Sequence, residues 1–286
     1  MKLIRYGAPG KEQPGVIIND KRYDVSEITK TFDEAFFESE GLARLSEYIK
    51  AKDGQLTEVS ADERLGCPVA RPSKIVCIGL NYADHAKETN APLPSEPVVF
   101  MKSTTAIVGP NDEVMIPKNS VKTDWEVELA VVVGKRLSYA TEEEALASIA
   151  GYVLHNDVSE REFQLERNGT WDKGKGCDTF APLGPFLATQ DEIADVDNLN
   201  LWLKVNGQVM QQGTTANFIF KVPFLLSYVS QFMTLLPGDI ISTGTPAGVG
   251  LGFKPPIYLN PGDVMELGID GLGEQRQTVK AYEPHR

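Results

Sequence analysis

The run Trp125-Glu126-Val127-Glu128-Leu129-Ala130-Val131-Val132-Val133 is apolar except for two glutamates spaced by two. Side chains two apart on a strand share a face, so a strand over 126–133 sets Glu126 and Glu128 on one side, roughly 7 Å apart. Val127, Leu129, Val131 and Val133 take the other side. Ala130 and Val132 follow the glutamates on their own face, which argues against full exposure. Two inward carboxylates in a β-rich core need a partner: a basic side chain, a shared proton or a divalent cation. An exposed strand face is the bland alternative, and this stretch alone leaves it open. A third carboxylate, Asp157, follows Gly151-Tyr152-Val153-Leu154-His155-Asn156, a short apolar strand running into polar residues, where loop-borne functional groups tend to sit. Three carboxylates without a nearby Cys favour Mg²⁺ or Mn²⁺ over zinc. Their mutual repulsion also predicts that Glu126→Gln or Asp157→Asn leaves the chain folded and raises its metal-free stability.

Outward from this strand the texture is that of a mixed sheet. Short β-rich runs at 75–80, 97–101, 152–154, 201–205 and 239–242 are broken by Gly and Pro. Thr141 and Glu144 form a capping box ahead of a helix over 145–150. Pro223 reads as the first residue of another, with Phe224, Leu225, Tyr228, Val229 and Phe232 on one face and Pro237-Gly238 beyond it. Residues 1–70 read as a small α+β unit, with strands at 15–19 and 22–25 and a helical stretch over 33–50. The expected division is therefore a small N-terminal domain, 1–70, and a larger mixed-sheet domain, 71–286.

Composition narrows the function classes. The chain has 286 residues, 42% hydrophobic and 24% charged, an ordinary globular balance that excludes disordered and collagen-like classes. Its 40 acidic against 28 basic residues give a net charge of -12, the wrong sign for a nucleic-acid binder or an anionic membrane surface. Three cysteines without a CxxC pair fit a reducing cytoplasm, and no run approaches the roughly 18 apolar residues of a membrane helix.

Six blocks, in order, carry a resemblance: Gly79-Leu80-Asn81-Tyr82-Ala83-Asp84-His85-Ala86-Lys87-Glu88, Phe100-Met101-Lys102, Trp125-Glu126-Val127-Glu128, Asn156-Asp157-Val158-Ser159-Glu160-Arg161-Glu162-Phe163-Gln164, Gly174-Lys175-Gly176-Cys177-Asp178-Thr179-Phe180 and Thr243-Gly244-Thr245-Pro246-Ala247-Gly248-Val249-Gly250. Together they resemble the fumarylacetoacetate hydrolase family over essentially everything after residue 70. The N-terminal 70 residues and the wording around Lys175 are most similar to its ureidoglycolate lyase and 2,4-diketo-3-deoxy sugar acid hydrolase branch. The resemblance implies an α+β fold, a mixed β-sandwich roll, in a homodimer or homotetramer. It makes Glu126, Glu128 and Asp157 the ligands of Mg²⁺ or Mn²⁺. It makes His85 and Glu88, on one face of a short lid helix, a water-activating pair. Lys175 is implied to stabilise developing negative charge, Arg161, Gln164 and Thr245 to hold the substrate, and Lys102 to stand in the active site. Cys177, and Ala181 in place of a frequent Gly, depart from the family wording and bear on pocket shape rather than on the ligands.

The activity so implied is hydrolysis of a carbon–carbon bond in a 2,4-diketo acid, such as 2,4-diketo-3-deoxy-L-rhamnonate or -fuconate, releasing pyruvate and a hydroxy acid. The partner is thus a small 2-oxo acid, with no nucleic acid and no membrane. The same site admits a ureidoglycolate lyase, an acylpyruvase, an oxaloacetate decarboxylase or a dicarboxylate isomerase. Retention of His85, Glu88 and Lys175 beside the three carboxylates argues against a binding protein without chemistry.

Overall fold

A computed structural model describes residues 1–52, 54–88 and 92–283, and the side chains of His85 and Ala86 lie outside that description. Ten strands run in the order Glu58–Val59, Lys21–Asp24, Gln13–Ile18, Lys2–Tyr6, Leu187–Thr189, Ile149–Asn156, Val127–Val133, Ile240–Ser242, Ile75–Gly79 and Val98–Lys102, with Leu65–Gly66 branching from Lys2–Tyr6. All neighbours are antiparallel except Ile240–Ser242 with Ile75–Gly79, which is parallel. Val127–Val133 lies deep in this sheet and is buried on both faces. A second sheet, ordered Gln208–Thr214, Asn200–Val205, Val264–Ile269, Gly273–Lys280 and Val114–Met115, packs against it, closing the expected α+β sandwich. The N-terminal strands share the large sheet with the remainder of the chain: Lys2 pairs with Ala188 and Leu3 with Leu187.

Several expected elements change at their ends. The stretch over 33–50 is two helices, Glu34–Glu38 and Gly41–Ala51, broken at Glu40, whose φ of 55° is left-handed. The break seats Gly41 so close to Phe36 that a Cβ there would lie 2.3 Å from the Phe36 carbonyl oxygen. It lets Phe36 and Phe37 enter the core, Phe36 packing edge-on to Phe32. The capping box of Thr141 and Glu144 is present, but its helix is Glu142–Ala147 and Ile149 already pairs with Val133. The Ser148 hydroxyl donates to the Ala145 carbonyl and closes the last turn. In Val222–Ser230, Pro223 is the second helical residue. Leu225 and Val229 enter the core, while Phe224 and Tyr228 stack along the outer side and Phe232 is 64% exposed. No helix among the described residues is long and apolar enough to cross a membrane.

Candidate active site

The strand expected over 126–133 begins at Val127, and Glu126 stands just ahead of it. It pairs antiparallel with Ile149–Asn156, Val127 opposite Asn156 and Glu128 opposite His155. The start of one strand therefore meets the end of the next, and Asp157 N–H extends the ladder to the Glu126 carbonyl at 2.9 Å. One carboxylate oxygen each from Glu126, Glu128 and Asp157 lies within 4.8 Å of the others, and all three residues are buried.

Cations hold two of the three. Lys175 Nζ donates to Glu126 Oε2 at 2.6 Å and to Asp157 Oδ2 at 3.0 Å, while Lys102 Nζ donates to Asp157 Oδ1 at 2.5 Å and to the Val158 carbonyl at 3.0 Å. Arg161 Nη2 reaches Glu126 Oε1 at 2.7 Å, and its Nε reaches Asp124 Oδ2 at 2.8 Å. Burial opposes ionisation of Glu126, but Lys175 and Arg161 outweigh it and hold the carboxyl below its usual range. Asp157 is likewise buried, and Lys102 and Lys175 keep it ionised. Glu128 goes the other way, pushed well above the usual carboxylate range by burial and then by Asp157 and Glu126. Lys175 is pushed up to about 12, because Asp157 and Glu126 overcome its own burial.

The cavity over the carboxylates is walled by Ile78, Leu80, Phe100 and Trp171 and opens onto Lys175, Arg161, Gln164 and Thr245. Gln164 Oε1 accepts from Arg161 Nη1 at 3.0 Å, which leaves the amide nitrogen as the group it offers the cavity. The Thr245 hydroxyl donates to the Val127 carbonyl at 2.9 Å and accepts from Gln211 Nε2 at 2.8 Å, so it is held from both sides. Glu88 stands apart from this wall: its carboxylate accepts the Gly248 N–H at 3.0 Å, docking the helix Ala83–Glu88 on the glycine-rich turn. His85 belongs to that helix, and its side chain lies outside the described residues.

Four further residues complete the site from outside the six sequence blocks. Asp124 anchors Arg161 and accepts the N–H groups of Gly250 at 2.7 Å and Leu251 at 3.0 Å. Its place directly before Trp125-Glu126 was the available clue. Ser242 donates to Glu128 Oε2 at 2.5 Å, and Gln211 ties Thr245 to the second sheet. Trp171 packs on Phe100 with centroids 5.2 Å apart and lies over Gly79, where a Cβ would come within 2.6 Å of the indole.

The donor set fits a hard divalent cation. Adjacent oxygens around an octahedral ion bound at ~2.1 Å stand roughly 3 Å apart, so carboxylate oxygens within 4.8 Å of one another need to close by at most about 1.8 Å. Lys175 already places a positive charge between Glu126 and Asp157, marking the position that a cation would take over or share.

A family model for the C-terminal region of fumarylacetoacetate (FAA) hydrolase matches residues 74–280, a span containing all of these side chains. The chain belongs to the fumarylacetoacetate hydrolase family. A Burkholderia multivorans relative carrying a provisional hydrolase name is 52% identical over 283 residues, covering 98% of this chain and 99% of its own. Among solved structures, 2-hydroxyhepta-2,4-diene-1,7-dioate isomerase from Mycobacterium marinum is 33% identical with a TM-score of 0.78, covering 99% of this chain and 100% of that one. Maleylpyruvate hydrolase from Sphingobium sp. SYK-6, in complex with manganese(II) and pyruvate, is 28% identical with a TM-score of 0.82 over the same shares. The fumarylacetoacetate hydrolase fold thus extends over the whole chain, N-terminal strands included, and its neighbours are hydrolases and isomerases of small unsaturated or diketo acids.

Proposed function

We propose that this member of the family is a Mg²⁺- or Mn²⁺-dependent hydrolase that cleaves the C3–C4 bond of a 2,4-diketo acid, of which 2,4-diketo-3-deoxy sugar acids are the favoured candidates. The observation that carries the reading is the buried carboxylate triad with Lys175 between two of its members. A divalent ion held by Glu126, Glu128 and Asp157 would supply Lewis acidity and a template for the carboxylate and 2-oxo oxygens of the substrate.

The chain's own residues divide the remaining work. Arg161, fixed by Asp124 and Glu126, aims the Gln164 amide at the substrate, and Thr245 lines the same wall. His85, on the helix that Glu88 docks to the glycine-rich turn, takes a proton from the water that attacks C4. The C3–C4 electron pair then passes to C3 as the pyruvate enolate, whose charge Lys175 stabilises. Protonation of C3 gives pyruvate, and C4 leaves as the carboxylate of the second product, so one water is consumed per bond broken. The same reading carries a homodimer or homotetramer, which light scattering on the purified chain checks.

The test is turnover of a panel of sugar-derived diketo acids, acetylpyruvate and oxaloacetate, read by pyruvate release, and of ureidoglycolate, read by glyoxylate release, with added Mg²⁺ or after chelation. The expected result is metal-dependent release that is fastest with a diketo acid. Full activity after exhaustive chelation, or turnover confined to ureidoglycolate, defeats the proposal.

A further inference from the structure

Two members of the triad are steadied by cations and the third is not. Glu126 leans on Lys175 and Arg161, and Asp157 on Lys175 and Lys102. Glu128 has neutral partners: its Oε2 accepts the Ser242 hydroxyl at 2.5 Å and the Gly244 N–H at 3.1 Å. The Ser242 oxygen in turn lies 2.7 Å from His155 Nδ1. These three side chains come from three adjacent strands, with His155 directly opposite Glu128 in register. His155 is fully buried beside Val153 and Leu154, and its Nε2 has no partner among the described residues. A polar ring kept in an apolar strand, with a single hydrogen bond, is there for that bond.

We propose that the His155–Ser242 pair positions the Glu128 carboxylate, turning Oε2 outward and presenting Oε1 to a bound divalent cation. This rests on the reading of the triad as a metal centre. A carboxylate that ligates a cation is ionised and only accepts hydrogen bonds, so in the metal-bound protein the single Ser242 proton goes to Glu128 and the Ser242 oxygen accepts from His155. That chain of donors requires the proton of the imidazole to sit on Nδ1 and leaves Nε2 as the bare nitrogen. The pair then acts on the metal as the outer partners of a ligand do, through orientation and without contact.

Two measurements on the full chain test it. Titration with Mn²⁺, followed by electron paramagnetic resonance, should show Ser242→Ala binding the ion roughly 10- to 100-fold more weakly than the unaltered protein. Ser242→Thr, which keeps the hydroxyl, should restore most of that affinity. Nitrogen-15 spectra of the Mg²⁺-loaded protein labelled at histidine should show His155 in the Nδ1–H form, assigned by its absence in His155→Leu. A role in packing alone would lower the melting temperature of Ser242→Ala and leave the Mn²⁺ affinity of the folded protein unchanged, and that result overturns the proposal. An Nε2–H form in the loaded protein overturns it as well. If the unaltered chain binds no Mn²⁺, the metal reading itself falls, whereas normal binding with an indifferent Ser242→Ala removes the positioning role alone.

Discussion

Glu128 differs from Glu126 and Asp157 in what balances its charge. Neutralising any of three clustered carboxylates would relieve repulsion if they stood alone, which is the expectation that spacing by itself supports. The ion pairs reverse it for two of them: Glu126→Gln leaves Lys175 and Arg161 buried with less negative charge to face, at a cost of roughly 3 to 5 kcal/mol for a buried pair that loses one partner. Glu128→Gln removes a group that burial already holds toward its neutral form, so the metal-free chain should be as stable as the unaltered one or more so. Urea denaturation in the presence of a chelator checks the contrast, and equal destabilisation by the two variants contradicts it. Both should lose Mn²⁺ binding. The triad itself was legible from a period of two and a strand end. Lys102 and Lys175 were placed at the site by motif wording, but their pairing with Asp157 was not legible, because they lie 55 and 18 residues from it and reach it only through the folded sheet.

The elements that carry these residues are short and held by close backbone contacts. Lys175 ends the four-residue helix Asp172–Lys175, which has no side-chain cap and is placed instead by contact with the segment before it. At Gly174 a Cβ would lie 2.4 Å from the Glu160 carbonyl and 2.6 Å from the Gln164 nitrogen. Gly174→Ala must therefore push Lys175 and Gln164 apart. Overpacking of this kind costs roughly 1 to 3 kcal/mol, and misplacement of a reacting group by about 1 Å costs up to roughly a hundredfold in rate. Steady-state kinetics should show a fall in turnover with the fold retained by circular dichroism; an unchanged turnover number would remove this contact from the account. Such constraints explain which elements could be read from sequence. The capping box at Thr141 and Glu144 is local chemistry and was visible. The break at Glu40 answers to Phe36 and Phe37 entering the core, a tertiary demand that helix periodicity over 33–50 does not express.

Across the whole molecule, the site is a junction of segments separated by more than half the chain. The Asn81 side chain bonds the carbonyls of Phe220 and Thr243, Gln211 bonds Thr245 and the Val127 N–H, and Asn156 bonds Gln277, so buried amides lace both sheets to the carboxylate cluster. Motif order foretold which segments take part, while these amide contacts, all but the Gln211–Thr245 bond made across more than 80 residues, had no sequence signature. The architecture leaves one chemical question that decides the account: whether water attacks the substrate carbon. In the proposed mechanism His85 activates that water, whereas loss of carbon dioxide from a 2-oxo acid needs no nucleophile, so His85→Ala should suppress diketo-acid hydrolysis far more than any oxaloacetate decarboxylation. The most direct measurement is turnover of a 2,4-diketo acid in ¹⁸O-labelled water with Mg²⁺, followed by mass spectrometry of both products. Hydrolysis at C4 places one labelled oxygen in the new carboxylate of the second product. A second product whose carboxylate carries no label, under conditions without back-exchange, contradicts the assignment.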